Sequence, residues 1–196
     1  KYMKIAFYID EMNYRGVANS AYQYAFNNQK ILKNKSIIFY NNKNYRNKID
    51  VIKKFKKEFK TYGISHFKKI EKIKIKNIDF IYVQKGGKKD TWVSSKIKTL
   101  VHSIYPQKID QIHGFKYILC SEWLSKEFYN YKIPYVPYMV NVERTKKSLI
   151  KNLKINKNFT VFGCHGGESS FDIQFVKDVI KKVVHHREDI VFLFLN

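Results

Sequence analysis

The sequence predicts an α/β fold, a parallel sheet with helices on both faces. Three observations carry that expectation. Short apolar runs alternate with segments of helical periodicity along the whole chain. Several of the runs are continuous rather than alternating, as expected of strands buried on both faces. Two of them lead through a glycine-bearing polar loop into a helix-like pattern: residues 5–9 by way of Gly16, and residues 159–164 by way of Gly166 and Gly167.

Taken in order, residues 5–9 read as the first strand. Val17, Ala21, Tyr24, Ala25, Ile31 and Leu32 then recur at helical spacing, and residues 36–40 read as a second strand. Ile49, Ile52, Phe55, Phe59 and Tyr62 mark a basic amphipathic helix, with Gly63 placed to end it. Residues 64–67 read as a short strand. Residues 70–76 alternate apolar and basic side chains, which leaves an edge strand and a helix both open. Residues 78–83 form a strand that runs into Lys85, Gly86 and Gly87. Residues 99–105 form another, ended by Pro106. A further strand over 115–120 is followed by Ser121, a good N-cap for a helix over 122–129. Residues 134–140 read as a short extended piece.

The next stretch is charged and weakly patterned. The expected organisation is a first domain over 1–142, a linker over 143–158 and a second unit from 159. In that unit Phe175, Val176, Val179, Ile180, Val183 and Val184 form a helical stripe. His185, His186 and Arg187 fall in its last turn, where positive charge suits the helix dipole. A strand over 189–195 ends the chain, so the second unit is expected to be incomplete.

Composition narrows the function classes. The chain has 196 residues, 44% of them hydrophobic, enough for a sizeable core. Its net charge is +22, which invites a polyanionic partner: nucleic acid, an anionic membrane face or a phosphorylated substrate. The lysines are scattered, however, and Lys, Asn, Ile, Phe and Tyr all have AT-rich codons, so biased composition with solvated faces is the competing explanation. The best basic patch is over 53–76. Cys120 and Cys164 do not read as a disulfide framework or a metal site, which fits a reducing compartment. No run is long enough to span a membrane, and the first residues carry no signal-peptide pattern. A cytoplasmic location is expected, with room for peripheral membrane contact through basic segments.

Ligands of such sheets bind beyond the carboxyl ends of the strands. Gly16 lies in such a loop, as a ligand approach or an ordinary turn. The loop is not GxGxxG, so a dehydrogenase-type dinucleotide site is poorly supported. Gly86 and Gly87, followed by Asp90 and Trp92, combine exposed amides, charge and an aromatic. That set suits a sugar or phosphate ligand, and equally a plain solvent loop. Trp92 is a candidate to stack on a pyranose ring, or a core residue. His102, near the end of a strand, could point into the crevice and contact a hydroxyl or move a proton. His66 and His113 have weaker claims, and His66, His102 and His113 are not at metal-ligand spacing, so no metal site is expected. His165, Gly166 and Gly167 follow a strand and precede a helix, where amides and the helix dipole could hold a phosphate.

These pieces, in this order, resemble a glycosyltransferase of the GT-B type, close to the retaining enzymes called glycosyltransferase family 4. The resemblance rests on residues 13–20, the Gly86-Gly87 loop ending in Asp90, and residues 99–107, 117–128, 136–140 and 159–173. It implies two Rossmann-like domains, the first mostly for the acceptor and the second for a nucleotide-sugar donor. It implies a metal-independent, cofactor-free transfer of a sugar to a glycan or other hydroxyl acceptor, as in hexosyltransferases of glycan biosynthesis. Arg15 and Gly16 would lie near the donor phosphates or the transferred sugar. His102 would match a crevice histidine that contacts the sugar. Ser121 and Glu122 would match a Ser-Glu pair whose role could be capping alone. Gly166 and Gly167 would open the donor domain. Two departures stand out: Cys164 replaces a frequent basic residue, and the Glu-rich donor motif would lie beyond Asn196. The 196-residue chain alone is therefore expected to be inactive, as a truncated form of a longer enzyme. The alternative is a basic α/β module that binds nucleic acid or an anionic membrane without catalysis; as a partner of the transferase, nucleic acid is not expected.

Overall fold

A computed structural model of the chain describes residues 2–73, 75, 77–140, 150–165 and 173–195. It divides into two units, Lys1–Asn141 and Val142–Asn196. The first is built on a six-stranded sheet in the order β3-β2-β1-β4-β5-β6. The strands are β1 (Lys4–Ile9), β2 (Lys35–Asn41), β3 (Lys60–Ile64), β4 (Phe80–Lys85), β5 (Lys98–Ser103) and β6 (Lys116–Leu119). Every neighbouring pair is parallel. That order is the doubly wound one, with its switch point between β1 and β4, where a crevice opens beyond the strand ends.

One face of the sheet is covered by α1 (Gly16–Lys30) and α2 (Ile49–Glu58). Ala18, Ala21, Tyr24 and Ala25 of α1 recur at helical spacing and bury against Phe7, Ile9, Ile38 and Tyr82. Val51 and Phe55, four residues apart, bury on the same layer, while Lys53, Lys54, Lys56 and Lys57 stay exposed. Burying a side chain as completely as Phe55 contributes about 1.5–3 kcal/mol. The opposite face carries a 3₁₀ turn, Phe67–Lys72, whose Phe67 and Ile70 pack on Ala6, Tyr8, Phe39 and Ile81. It also carries α3 (Glu122–Tyr129), whose Leu124 and Tyr129 pack on Val101, Tyr117 and Leu119. Ser121 caps α3 as expected, its Oγ accepting from the Leu124 amide at 3.2 Å. Asn130 closes the helix in the left-handed conformation at φ 45°.

Three expectations are corrected here. The helix of α2 ends at Glu58, not at Gly63, which lies inside β3. A Cβ on Gly63 would stand 3.0–3.2 Å from Asn42 and the Tyr40 ring, so the glycine makes room for a tyrosine on the adjacent strand. The strand expected over 64–67 is instead Lys60–Ile64. Of the segment over 70–76, residues 70–72 end the 3₁₀ turn rather than starting a strand or an α-helix, and residues 74 and 76 lie outside the described residues. The piece over 134–140 is extended, with Tyr135 bridged in parallel to Leu119.

The second unit holds β7 (Thr160–His165), α4 (Gln174–His186) and β8 (Ile190–Leu195), with β7 and β8 parallel. Phe162 and Phe192 stack across that pair, ring centroids 5.2 Å apart. Much of the linker and donor-loop reading, including Gly166 and Gly167, lies outside the described residues.

Candidate functional site

The crevice of the first unit is framed by the segments that leave β1, β2, β3 and β4. The segment after β1 is tied to the one after β2. Asp10 accepts from the Tyr8 hydroxyl at 3.1 Å and from the side-chain amides of Asn41 and Asn44, each at 3.0 Å. Glu11 pairs with Arg46 at 3.0 Å, and the Met12 amide donates to Asn47 Oδ1 at 2.8 Å. Asn13 donates to Glu11 and accepts from the Arg15 amide, a local turn that delivers the chain into α1. Arg15 is the exposed N-cap residue of α1, and no side chain caps that helix. Gly16 opens the helix, and a Cβ built on it would meet nothing within 4 Å. The start of α1 at Gly16 thus faces open space, while Ala18 is already in the core.

The loop after β4 has the opposite character. Gly87 sits at φ 103°, and a Cβ there would fall 2.0 Å from Ser103 Oγ. Tyr117 donates to the Gly87 carbonyl and Gln107 to the Gly86 carbonyl, both at 3.0 Å. Gly87 is therefore explained by the protein's own packing, whereas Gly86 is exposed and a Cβ on it would meet only the Tyr105 ring, at 3.7 Å. Asp90 is also committed: it pairs with Lys85 at 2.5 Å and accepts from the Trp92 amide at 2.8 Å. Burial pushes the Lys85 ammonium below its ordinary pKa, and Asp90 pulls it back up. Trp92 stands edge-on to Tyr8, centroids 5.2 Å apart, and reaches both the core layer and a cleft lined by Asp10, Asn41 and His66.

His102, expected in the crevice, lies beneath it. It is 0% exposed, its Nδ1 meets the Tyr82 hydroxyl at 2.6 Å, and the rings of Tyr24 and Tyr138 pack against it at 5.5 and 6.1 Å. Burial lowers its pKa from the ordinary 6.5 to about 4, so the ring is neutral at physiological pH. Burial likewise raises the Tyr24 hydroxyl to about 12. His102 Nε2 has no hydrogen-bond partner, nor do both polar atoms of Gln84 or the hydroxyl of Ser20, all buried. Gln84 is the register partner of His102 on the adjacent strand, so the two side chains share a face. Sequence reading missed Gln84 and Ser20. The signal was present in Gln84, a polar side chain that continues the apolar run of β4 at its carboxyl end.

Glu122 lies in the first turn of α3, where a carboxylate suits the helix dipole, and accepts from the Tyr131 hydroxyl at 3.1 Å. His165 is the last residue of β7. Among the described residues no group of His, Cys, Asp and Glu is arranged to hold a metal ion, and no helix is long and apolar enough to cross a membrane. Cys120 and Cys164 are both free thiols.

No family model matches the chain, and no curated protein matches it in sequence. Among solved structures, a glycosyltransferase from Rickettsia africae ESF-5 is similar, with a TM-score of 0.63 and 15% identity, covering 100% of this chain and 69% of that chain. At that identity the likeness is one of fold: the chain has a Rossmann-like α/β architecture, which it shares with that structure.

Proposed function

We propose that the chain is part of a GT-B glycosyltransferase, akin to family 4, comprising the acceptor-side domain and the beginning of the donor domain. The observation that carries this reading is the fold likeness to a glycosyltransferase along the whole chain. The doubly wound strand order and the open position at Gly16 agree with it. In the proposed reaction the anomeric C–O bond to a nucleoside diphosphate breaks. A new C–O bond forms to an acceptor hydroxyl, whose proton is released. Amides of α1, with Arg15 beside them, would stabilise charge on the departing diphosphate. Transfer would be metal-independent and retaining. His102 would act from below the crevice, as a neutral ring that holds Tyr82 and Tyr24 in place.

The test is a panel of nucleoside-diphosphate sugars against the full-length protein. One of them should raise the melting temperature in proportion to the logarithm of its concentration and be consumed when an acceptor is added. Absence of both effects across the panel defeats the reading.

A second reading has its own observation, the exposed lysines of α2 in a chain of net charge +22. They suit peripheral contact of a cytoplasmic enzyme with an anionic membrane. Salt-sensitive binding to anionic vesicles, lost when Lys53, Lys54, Lys56 and Lys57 become Gln, would support it.

A further inference from the structure

On the sheet face opposite α1, a cleft of about 230 Å³ lies at the carboxyl ends of β1, β2 and β3, walled on one side by the loop after β4. Ligands of such sheets bind beyond the carboxyl ends of the strands, and this cleft lies there, on the β2 side of the switch point between β1 and β4. Its lining has two kinds of surface. Tyr8, Phe67 and Trp92 supply aromatic walls, and the other six lining residues are polar or charged. Asp10 forms the base, its carboxylate fixed by Tyr8, Asn41 and Asn44. Burial and the adjacent Asp10 both raise the Tyr8 pKa, so its hydroxyl remains a donor. His66 is exposed, and its Nδ1 meets Ser65 Oγ at 3.0 Å. No protein group among the described residues bonds His66 Nε2 or the Thr91 hydroxyl, which leaves both for a ligand.

The lining discriminates between ligand classes. A lipid tail needs apolar walls throughout, and six of the nine lining residues are not apolar. A phosphate would face one ammonium, Lys68, together with the Asp10 carboxylate, which repels it. A ring that offers an apolar face to aromatics and hydroxyls to mixed donors and acceptors fits both surfaces. The volume is below the roughly 300–1,000 Å³ of clefts for drug-sized ligands, which suits a single ring.

We infer that this cleft is a saccharide-binding subsite, with Trp92 as its aromatic wall and His66 and Thr91 as its hydroxyl-reading groups. On the transferase reading above, on which this role rests, it holds the sugar of the acceptor, so the acceptor is a glycan rather than a lipid or protein hydroxyl.

The experiment uses the full chain with the methyl glycosides of glucose, galactose, mannose and N-acetylglucosamine. Saturation-transfer NMR and tryptophan fluorescence report binding. At least one glycoside should bind, and His66→Ala, Thr91→Val and Trp92→Phe should each weaken it, His66→Ala by about tenfold. All three variants should keep the wild-type melting temperature closely enough for the comparison to be read. Lack of binding by every glycoside overturns the inference, as does binding that none of the variants alters. Displacement of the glycoside by inorganic phosphate also overturns it. Glycoside binding at these residues without transfer from any nucleotide-sugar keeps the subsite and defeats the transferase reading. Transfer with an acceptor KM that the variants leave unchanged does the reverse.

Discussion

Two histidines on opposite sides of the same sheet show what position in the fold does to one side chain. His102 is a strand residue on the α1 side, 0% exposed and packed among tyrosines. His66 lies in the segment after β3, exposed and lining a cleft. Sequence reading favoured His102, because a histidine near a strand end in an α/β fold is expected to reach the crevice. The structure shows that the last residues of β5 are still interior, and that the segments beyond the strands form the cleft wall. A strand end offers its side chain to a ligand only where nothing packs over it.

The largest effect should come from removing the buried ring. His102→Ala leaves a cavity and an unpaired Tyr82 hydroxyl, and should cost about 2–4 kcal/mol in chemical denaturation. Equal losses for His102→Ala and His66→Ala would break the comparison. Next is acid. The His102 pKa is depressed in the folded state, so below its ordinary 6.5 the unfolded chain binds the extra proton. Stability should therefore fall as pH drops from about 6.5 to about 4, by an amount on the order of 3 kcal/mol from this group. The stability difference between wild type and His102→Phe, followed across that window, isolates it from the carboxylates.

Gly87→Ala tests the loop that walls the cleft. With φ at 103° and Ser103 Oγ 2.0 Å from the new methyl, it should cost about 2–3 kcal/mol, measured by urea unfolding. Ser121→Ala should cost about 1 kcal/mol through the lost cap of α3. Smallest is His66→Ala, which should leave stability within about 0.5 kcal/mol and show its effect in glycoside binding alone.

The fold was legible where the signal is local. The α3 helix and its Ser121 cap follow from one hydroxyl at the right place before an apolar pattern. The alternation of strands and helices gave the layer architecture. Strand order was not legible, because β1 pairing with β4 joins residues about seventy-five positions apart, as Ile5 with Phe80, and no local pattern encodes it. Gly63 misled for the same reason: it answers to Tyr40 on a neighbouring strand, not to the helix before it. Gly87 read as open to a ligand because Ser103 and Tyr117, which close over it, are distant in sequence. Trp92 read as a ring-stacking or a core residue, and its side chain reaches both the core layer and a cleft.

The ties between the segments after β1 and β2 have a consequence for recognition. Asp10 with Asn41 and Asn44, Glu11 with Arg46, and Met12 with Asn47 make two loops into one body. A ligand resting on it meets a base that is already ordered, so little entropy is lost there on association. Discrimination between related ligands then falls to the wall that carries Trp92, and substitutions at Asn44 or Asn47, which do not line the cleft, should blur it by loosening the base.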